Sequence, residues 1–196
     1  MVTWPEPFSV KGQHVALVPL SHDHHGDLVE ATADGQLHRL WYTSIPDGAG
    51  MEAEISRRAA LETMLPFTIL DVATGRAVGM TTYMNISEEH RRLEIGSTWY
   101  RKSVQRSPMN TECKLLLLRY AFEQLGCVCV EFRTHVLNQQ SRRAIERLGA
   151  KLDGVLRSNS IMPNGTVRDT AAYSIIASEW PMVKANIEWR LHKPRL

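Results

Sequence analysis

One segment of the chain concentrates groups that handle anions. It reads Tyr100-Arg101-Lys102-Ser103-Val104-Gln105-Arg106-Ser107-Pro108-Met109-Asn110-Thr111 and leads into an apolar run, Leu115–Leu118 with Ala121, Phe122 and Leu125. A loop that feeds a helix start presents N–H groups without intrahelical partners at the positive end of the helix dipole, which suits a phosphate. Arg101, Lys102 and Arg106 add charge to the same place. Neither GxxxxGK[ST] nor GxGxxG occurs, so this is not a nucleotide P-loop or a dinucleotide fingerprint. On local pattern alone, an anion site and a capped helix behind a solvated basic loop fit equally well.

A second segment runs from Asn138 to Ala150. Positions 141, 144, 145 and 148 share a helical face; three are apolar, so Ser141 places a hydroxyl on the buried side. Such a serine either bonds the carbonyl one turn earlier or serves chemistry. His22, Asp23, His24, His25 and Asp27 form the only histidine crowd, and they read as a solvated helix start, so no metal site is expected. Cys113, Cys127 and Cys129 read as reduced thiols. Cys127 and Cys129 share a strand face without a histidine at a recognisable spacing, which argues against a nucleophilic cysteine.

The elements that must hold these groups follow from periodicity. Val15–Val18 is a short strand, and Ser21 caps a helix over about 22–33. A second helix covers 51–64, with the aromatic connection Leu40-Trp41-Tyr42 between the two. A meander follows: 67–71, 77–86 and 93–100. In its last strand Leu93, Ile95, Ser97 and Trp99 take one face and Glu94, Gly96, Thr98 and Tyr100 the other. A buried helix over 111–125, ended by Gly126, leads to a strand at 128–134, so these two strands should run parallel, adjacent or with a gap. Asn138 caps a helix over 139–148 stopped by Gly149. A hairpin, 154–162 and 167–176, closes through Asn164-Gly165, the pair favoured in a type I′ turn. A last helix runs from 178 or 179 to about 190. Its Trp180, Val183, Ile187 and Leu191 face either this domain or a second copy.

The chain has 196 residues, 43% hydrophobic and 22% charged, which indicates one globular domain large enough to fold without disulfide or metal staples. A net charge of +2 does not mark a nucleic-acid binder. The start, Met1-Val2-Thr3-Trp4-Pro5-Glu6, lacks a signal-peptide layout, and no run is long enough for a membrane span; with reduced thiols, a cytoplasmic location is expected.

Taken together, the two chemical segments resemble the GNAT superfamily of acetyl-CoA-dependent N-acetyltransferases, and within it the branch of the ribosomal-protein-alanine N-acetyltransferases. Gln105-Arg106-Ser107-Pro108-Met109-Asn110 occupies the place of the [Q/R]-x-x-G-x-[G/A] loop, with Pro108 where glycine is usual and Asn110 where glycine or alanine is usual. Asn138, Ser141, Ala144, Gly149 and Ala150 match the later N-x-x-[S/A] motif. Gly154, Arg157, Arg168, Asp169, Tyr173, Ser174, Glu179 and Trp180 match the branch's hairpin. The resemblance extends over about residues 12–180.

It implies a mixed α/β (α+β) fold: a mainly antiparallel central sheet with one parallel strand-helix-strand unit, flanked by helices. It implies a single N-acetyltransferase domain over 1–196, with a core at about 12–178 and a C-terminal helix at 179–191. The cofactor would be acetyl-CoA, in a gap between the strands at 93–100 and 128–134. Thr98, Trp99, Gln105, Arg106, Ser107, Met109, Asn110, Thr111, Asn138 and Ser141 would contact it. Proline removes one donor from the pyrophosphate loop, while Asn110 tolerates a left-handed conformation.

By the same resemblance, a primary amine, either a protein N-terminus or a small molecule, attacks the thioester directly in a ternary complex. Glu94 is the candidate general base, with ion pairing to Arg91, Arg92 or another arginine as its alternative role; His135 and Asp169 are in reserve. Ser141 is the candidate proton donor to the thiolate. Trp41, Tyr42 and Tyr83 form a candidate acceptor wall, unless they are core. Expected partners are the acceptor amine and, for a homodimer, a second copy of the chain; no nucleic acid or membrane is expected. A non-catalytic acyl-CoA-binding or interaction protein on the same scaffold is the alternative.

Overall fold

Ser21 and Asn138 do what their side chains favour: each accepts a backbone N–H at a helix start, Ser21 from Asp23 and Asn138 from Ser141. The computed structural model describes residues 4–193; Met1-Val2-Thr3, read above for a targeting signal, lie outside them. Its strands are β1 (Val10–Lys11), β2 (Val15–Pro19), β3 (Met64–Asp71), β4 (Ala77–Ser87), β5 (Arg92–Tyr100), β6 (Cys129–His135), β7 (Lys151–Ile161) and β8 (Val167–Ile176). Its helices are α1 (His25–Ala33), α2 (Met51–Ala59), α3 (Met109–Arg119), α4 (Gln139–Leu148) and α5 (Trp180–His192).

The strands form one sheet in the order β1-β2-β3-β4-β5-β6-β8-β7. Every neighbouring pair is antiparallel except β5 and β6, which α3 connects. The mixed, mainly antiparallel sheet with one parallel unit is therefore as the sequence implied. Two apolar clusters cover its two faces. The larger joins Leu93, Ile95 and Phe132 to Leu115–Leu118 of α3 and to Trp180, Val183 and Ile187 of α5, so α5 packs on its own chain. The smaller joins Met80 and Trp99 to Leu28 and Ala31 of α1 and to Met51 and Ile55 of α2. All residues from Glu112 to Leu118 are buried, the reason α3 is apolar around most of its circumference.

Three local expectations are corrected. Helix α2 stops at Ala59, because Met64, Leu65 and Pro66 are taken by β3 to pair with Met84, Tyr83 and Thr82. The last turn before Gly126 (φ 63°) is a wide π turn over Tyr120–Gln124, so regular α-helix ends at Arg119. The hairpin turn is not type I′. Only Gly165 (φ 81°) is left-handed, and its N–H donates to Met162 O at 2.8 Å. Pro163 presets the first turn position, giving a three-residue loop of a type I turn followed by a left-handed glycine.

The correction that matters most lies in β5. Met80 faces Trp99 and Thr82 faces Gly96, so Ser97 and Thr98 together oppose Thr81 alone. This is a β-bulge, with Ser97 at φ 49°. An extra residue reverses the alternation beyond it. Trp99 therefore belongs to the α1/α2 face, while Thr98 and Tyr100 share the α3 face with Leu93 and Ile95. The simple period of two placed Glu94 with Thr98 and Tyr100; the bulge puts them on opposite faces.

Candidate active site

β5 and β6 pair over three residues only: Arg92 with Cys129, Leu93 with Val130 and Glu94 with Glu131. Both strands continue, to Tyr100 and His135, without pairing to each other. The sheet thus opens into a crevice at its centre, with backbone groups of the splayed strands facing it. Glu94 marks the point where the ladder ends.

Glu94 is 4% exposed. Asn85 Nδ2 donates to its Oε2 at 2.7 Å, and Arg133 Nε lies 3.6 Å from the same oxygen. Burial holds its pKa above the usual glutamate value, against the opposing pull of Asn85, Arg133 and Arg168. The ion pair given above as its alternative role is thus formed, with Arg133, while Arg92 pairs with Glu131. Asn85 reaches Glu94 from a second left-handed position (φ 49°), where the β4–β5 register shifts again. Gly96 leaves the room: a Cβ there would sit 2.9 Å from Glu94 Oε1 and 2.6 Å from Met84 Sδ. His135 lies at the end of β6 on the same face. Its Nδ1 accepts the Leu137 amide at 3.1 Å, and burial and the charge of Arg168 lower its pKa while Asp169 opposes. Trp41 packs edge-on against this imidazole at 5.2 Å and Tyr42 at 6.5 Å. Those two expected wall residues are thus brought together, and Trp41 stays 49% exposed.

Tyr83 is a correction. It is fully buried on the α3 face and its hydroxyl donates to Leu117 O, so it is a core residue rather than an acceptor wall. Asp169, held in reserve as a base, accepts the Ser158 amide at 2.7 Å and closes a bulge in β7.

Side chains tie down the loop at the crevice mouth. Gln105 Nε2 donates to Tyr100 O at 2.9 Å, and Gln140 Nε2 donates to Gln105 Oε1 at 3.3 Å, which ties the first turn of α4 to the end of β5. Ser107 Oγ accepts the Met109 amide at 3.3 Å. Among the described residues, the amides of Arg106, Asn110 and Thr111 have no hydrogen-bond partner. Pro108 adopts helical angles (φ −63°, ψ −20°) at the helix start, where a missing N–H costs no helical bond. The left-handed residue is Arg106 (φ 63°) rather than Asn110, and the reversal it makes turns the loop into the helix. Asn138 caps α4. Ser141 is half-buried in its first turn and makes no hydrogen bond through Oγ among the described residues, so the bond to the carbonyl one turn earlier is not formed.

Two buried cations, which the sequence reading did not single out, hold the Ser97–Thr98 bulge from opposite faces. From α2, Arg58 donates to Ser97 O at 3.1 Å and Thr82 Oγ1 at 3.0 Å while pairing with Glu54. From α3, Lys114 Nζ donates to Thr98 Oγ1 at 2.7 Å and Thr81 Oγ1 at 3.3 Å. No carboxylate lies within ion-pair distance of Lys114 among the described residues, and burial lowers its pKa to about 8. A lysine within an otherwise apolar helix run was the available sequence signal. The cysteines are all buried, and Cys127 is pushed up to about 12 by burial, the reverse of an activated thiol.

The profile of the acetyltransferase (GNAT) domain matches residues 14–151, from the turn before β2 to the first residue of β7. The chain belongs to the GNAT acetyltransferase family. A GCN5-related N-acetyltransferase from Brucella melitensis is similar to it in structure, with TM-score 0.87 and 31% identity over 95% of this chain and 86% of that one. RimJ of Mycobacterium smegmatis, solved with CoA-disulfide, shares the fold at TM-score 0.80 and 20% identity, covering 94% and 95%. The putative ribosomal N-acetyltransferase YdaF of Bacillus subtilis (strain 168) is 32% identical over 106 residues. That match spans 54% of this chain and 57% of YdaF. Among the described residues no helix is long and apolar enough to cross a membrane.

Proposed function

We infer that the protein moves the acetyl group of acetyl-CoA to a primary amine, the α-amine of a protein N-terminus or a small-molecule amine, within a ternary complex. The observation that carries this reading is the ladder that stops at Glu94 and Glu131, leaving a crevice with a buried carboxylate at its apex. The loop fits the diphosphate of the cofactor: the amides of Arg106, Asn110 and Thr111 are unspent, and Arg106 is exposed beside them. Gln105, Ser107, Met109 and Asn138 shape that loop and the facing turn, and the splayed edge containing Thr98 and Trp99 offers backbone groups to the pantetheine. Bound acetyl-CoA supplies an acyl group already activated as a thioester.

The remaining work falls to the chain. An α-amine has a pKa near 8, so a modest base suffices to hold it neutral. Glu94, with its pKa raised by burial, takes the ammonium proton at its carboxylate, directly or through water. Amides on the splayed half of β5 stabilise the developing oxyanion, a contribution of about 3 kcal/mol in other enzymes. As the C–N bond forms and the C–S bond breaks, Ser141 Oγ, with no hydrogen bond among the described residues, passes its proton to the departing sulfur and regains one, through water, from the acylated nitrogen. Trp41 and Tyr42, packed on His135 along the same face, offer the acceptor a wall.

The reading is tested by a thermal shift with acetyl-CoA and a thiol-release assay over panels of peptides and small amines. Stabilisation by acetyl-CoA with amine-dependent thiol release is expected. Stabilisation without release on any amine would favour a non-catalytic acyl-CoA-binding protein.

A further inference from the structure

The acceptor side of the crevice holds one guanidinium that the reaction outlined above leaves unused. Arg168 of β8 is half-buried, and Thr170 Oγ1 accepts from its Nε at 2.9 Å. Among the described residues its two terminal nitrogens have no hydrogen-bond partner, and no carboxylate lies within ion-pair distance. Neighbouring Asp169 is spent on the Ser158 amide. Thr170 pairs with His135 across β6 and β8, and Arg133, two positions before His135 on the same face of β6, lies 3.6 Å from Glu94, so Arg168, His135 and Glu94 share one face of the opened sheet, where Trp41 and Tyr42 pack on His135. A guanidinium that loses half its hydration and gains one neutral hydroxyl is poorly compensated within the protein. Its five donors favour a planar oxygen acceptor.

Resting on the amine-acetylating reading, we propose that Arg168 is a specificity-determining residue that binds a carbonyl or carboxylate oxygen carried on the carbon next to the acceptor amine. The ammonium end goes to Glu94 and the oxygen end to Arg168, so the acceptor class is an α-amino carbonyl unit. Two sources have that chemistry, a peptide N-terminus and a free amino acid. Polycationic amines are disfavoured, because the guanidinium of Arg168, without a carboxylate partner among the described residues, repels additional positive charge, whereas Arg133 is paired with Glu131. The hydrogen-bond pattern thus narrows what the overall charge of the chain leaves open.

The test compares four acceptors in the thiol-release assay: a short peptide amide with a free N-terminus, a free amino acid, propargylamine and spermidine. Propargylamine offers a weakly basic primary amine without the oxygen. Wild type is expected to prefer the first or second, and which of them identifies the source. Arg168→Gln is expected to lower kcat/KM for the oxygen-bearing acceptors about 10- to 100-fold more than for propargylamine, mainly through KM. Arg168→Lys restores part of that difference, and the acetyl-CoA thermal shift is kept in both. The ratio between acceptors is the readout, because removing Arg168 also shifts Glu94 and slows every acceptor alike. Equal losses on all acceptors, or a wild-type preference for spermidine or propargylamine, would overturn the assignment while leaving acetyl transfer intact. The wild-type panel decides even where a variant does not fold. Thiol release with no amine at all would overturn the transfer reading and this inference with it.

Discussion

Two buried glutamates on either side of the loop at 101–108 show how differently one fold treats the same side chain. Glu112, in the first turn of α3, is 8% exposed. Its carboxylate accepts the amides of Gln13, His14 and Val15 at 2.7–2.8 Å. Gly12 makes the approach possible, since a Cβ there would lie 2.5 Å from the carboxyl carbon. Glu94, at 4% exposure, has one amide side chain and a guanidinium at 3.6 Å. The first is bonded by backbone that cannot leave and ties the β1–β2 turn to α3. The second is under-solvated and under-bonded, which raises its proton affinity. Burial alone therefore does not separate the two carboxylates; unfilled bonding capacity beside the crevice does.

Substitutions should separate the two. Glu112→Ala removes three charge-assisted bonds and leaves three amides bare, so it should cost about 3–5 kcal/mol in a denaturant titration. The folded fraction should keep its kcat within about twofold. Glu94→Gln should do the opposite, lowering kcat by about 100- to 1,000-fold with an unchanged or higher Tm. Normal turnover by that variant would erase the contrast between the two glutamates.

Lys114 extends the contrast to a cation. Arg58 has Glu54 as partner, whereas Lys114 has only two hydroxyls. Lys114→Met should raise stability near pH 7 by about 1–3 kcal/mol, because it removes an unpaired buried charge and leaves Thr81 and Thr98 bonded to each other at 2.8 Å. The sign follows from proton counting. The folded pKa of about 8 lies below the reference value of 10.5, so the unfolded chain binds more protons between them. Wild-type stability should rise over that interval, and the advantage of methionine should vanish across it.

Ser141→Ala should lower kcat about tenfold without affecting acetyl-CoA binding, measured by thermal shift. The smallest effect concerns pH. With Glu94 as the proposed base, the acidic limb of kcat/KM should sit above the ordinary carboxylate range, because burial resists loss of its proton. Arg133→Met, which withdraws a charge that favours the carboxylate, should move that limb further up.

Where the chain reports on itself locally, the sequence was sufficient. Asn138 and Gly149 delimit α4 as expected, because a cap bonds an amide three residues away and a left-handed glycine stops its own helix. Trp41 and Tyr42 were legible as a pair because they are adjacent in a connection between helices. Tyr83 was misplaced because a strand tyrosine looks the same from either side of a sheet; only α3, packed across it, makes it core. Asn85 and the open valences of Arg168 carried no local signature, and although Lys114 in its apolar run and the Glu54–Arg58 spacing are visible in the sequence, the bulge residues these two cations hold lie at least sixteen positions away.

Amino-acid order by itself settled the succession of strands and helices, the parallel unit around α3 and the basic loop at its start, all consequences of periodicity and of residues with strong turn or cap preferences. Tertiary structure alone decided which face each β5 side chain takes. A bulge depends on how many residues the neighbouring strand contributes, and one extra residue exchanges the two sides of a sheet. It also decided which buried charges are neutralised, because desolvation and pairing are properties of the surroundings a side chain meets.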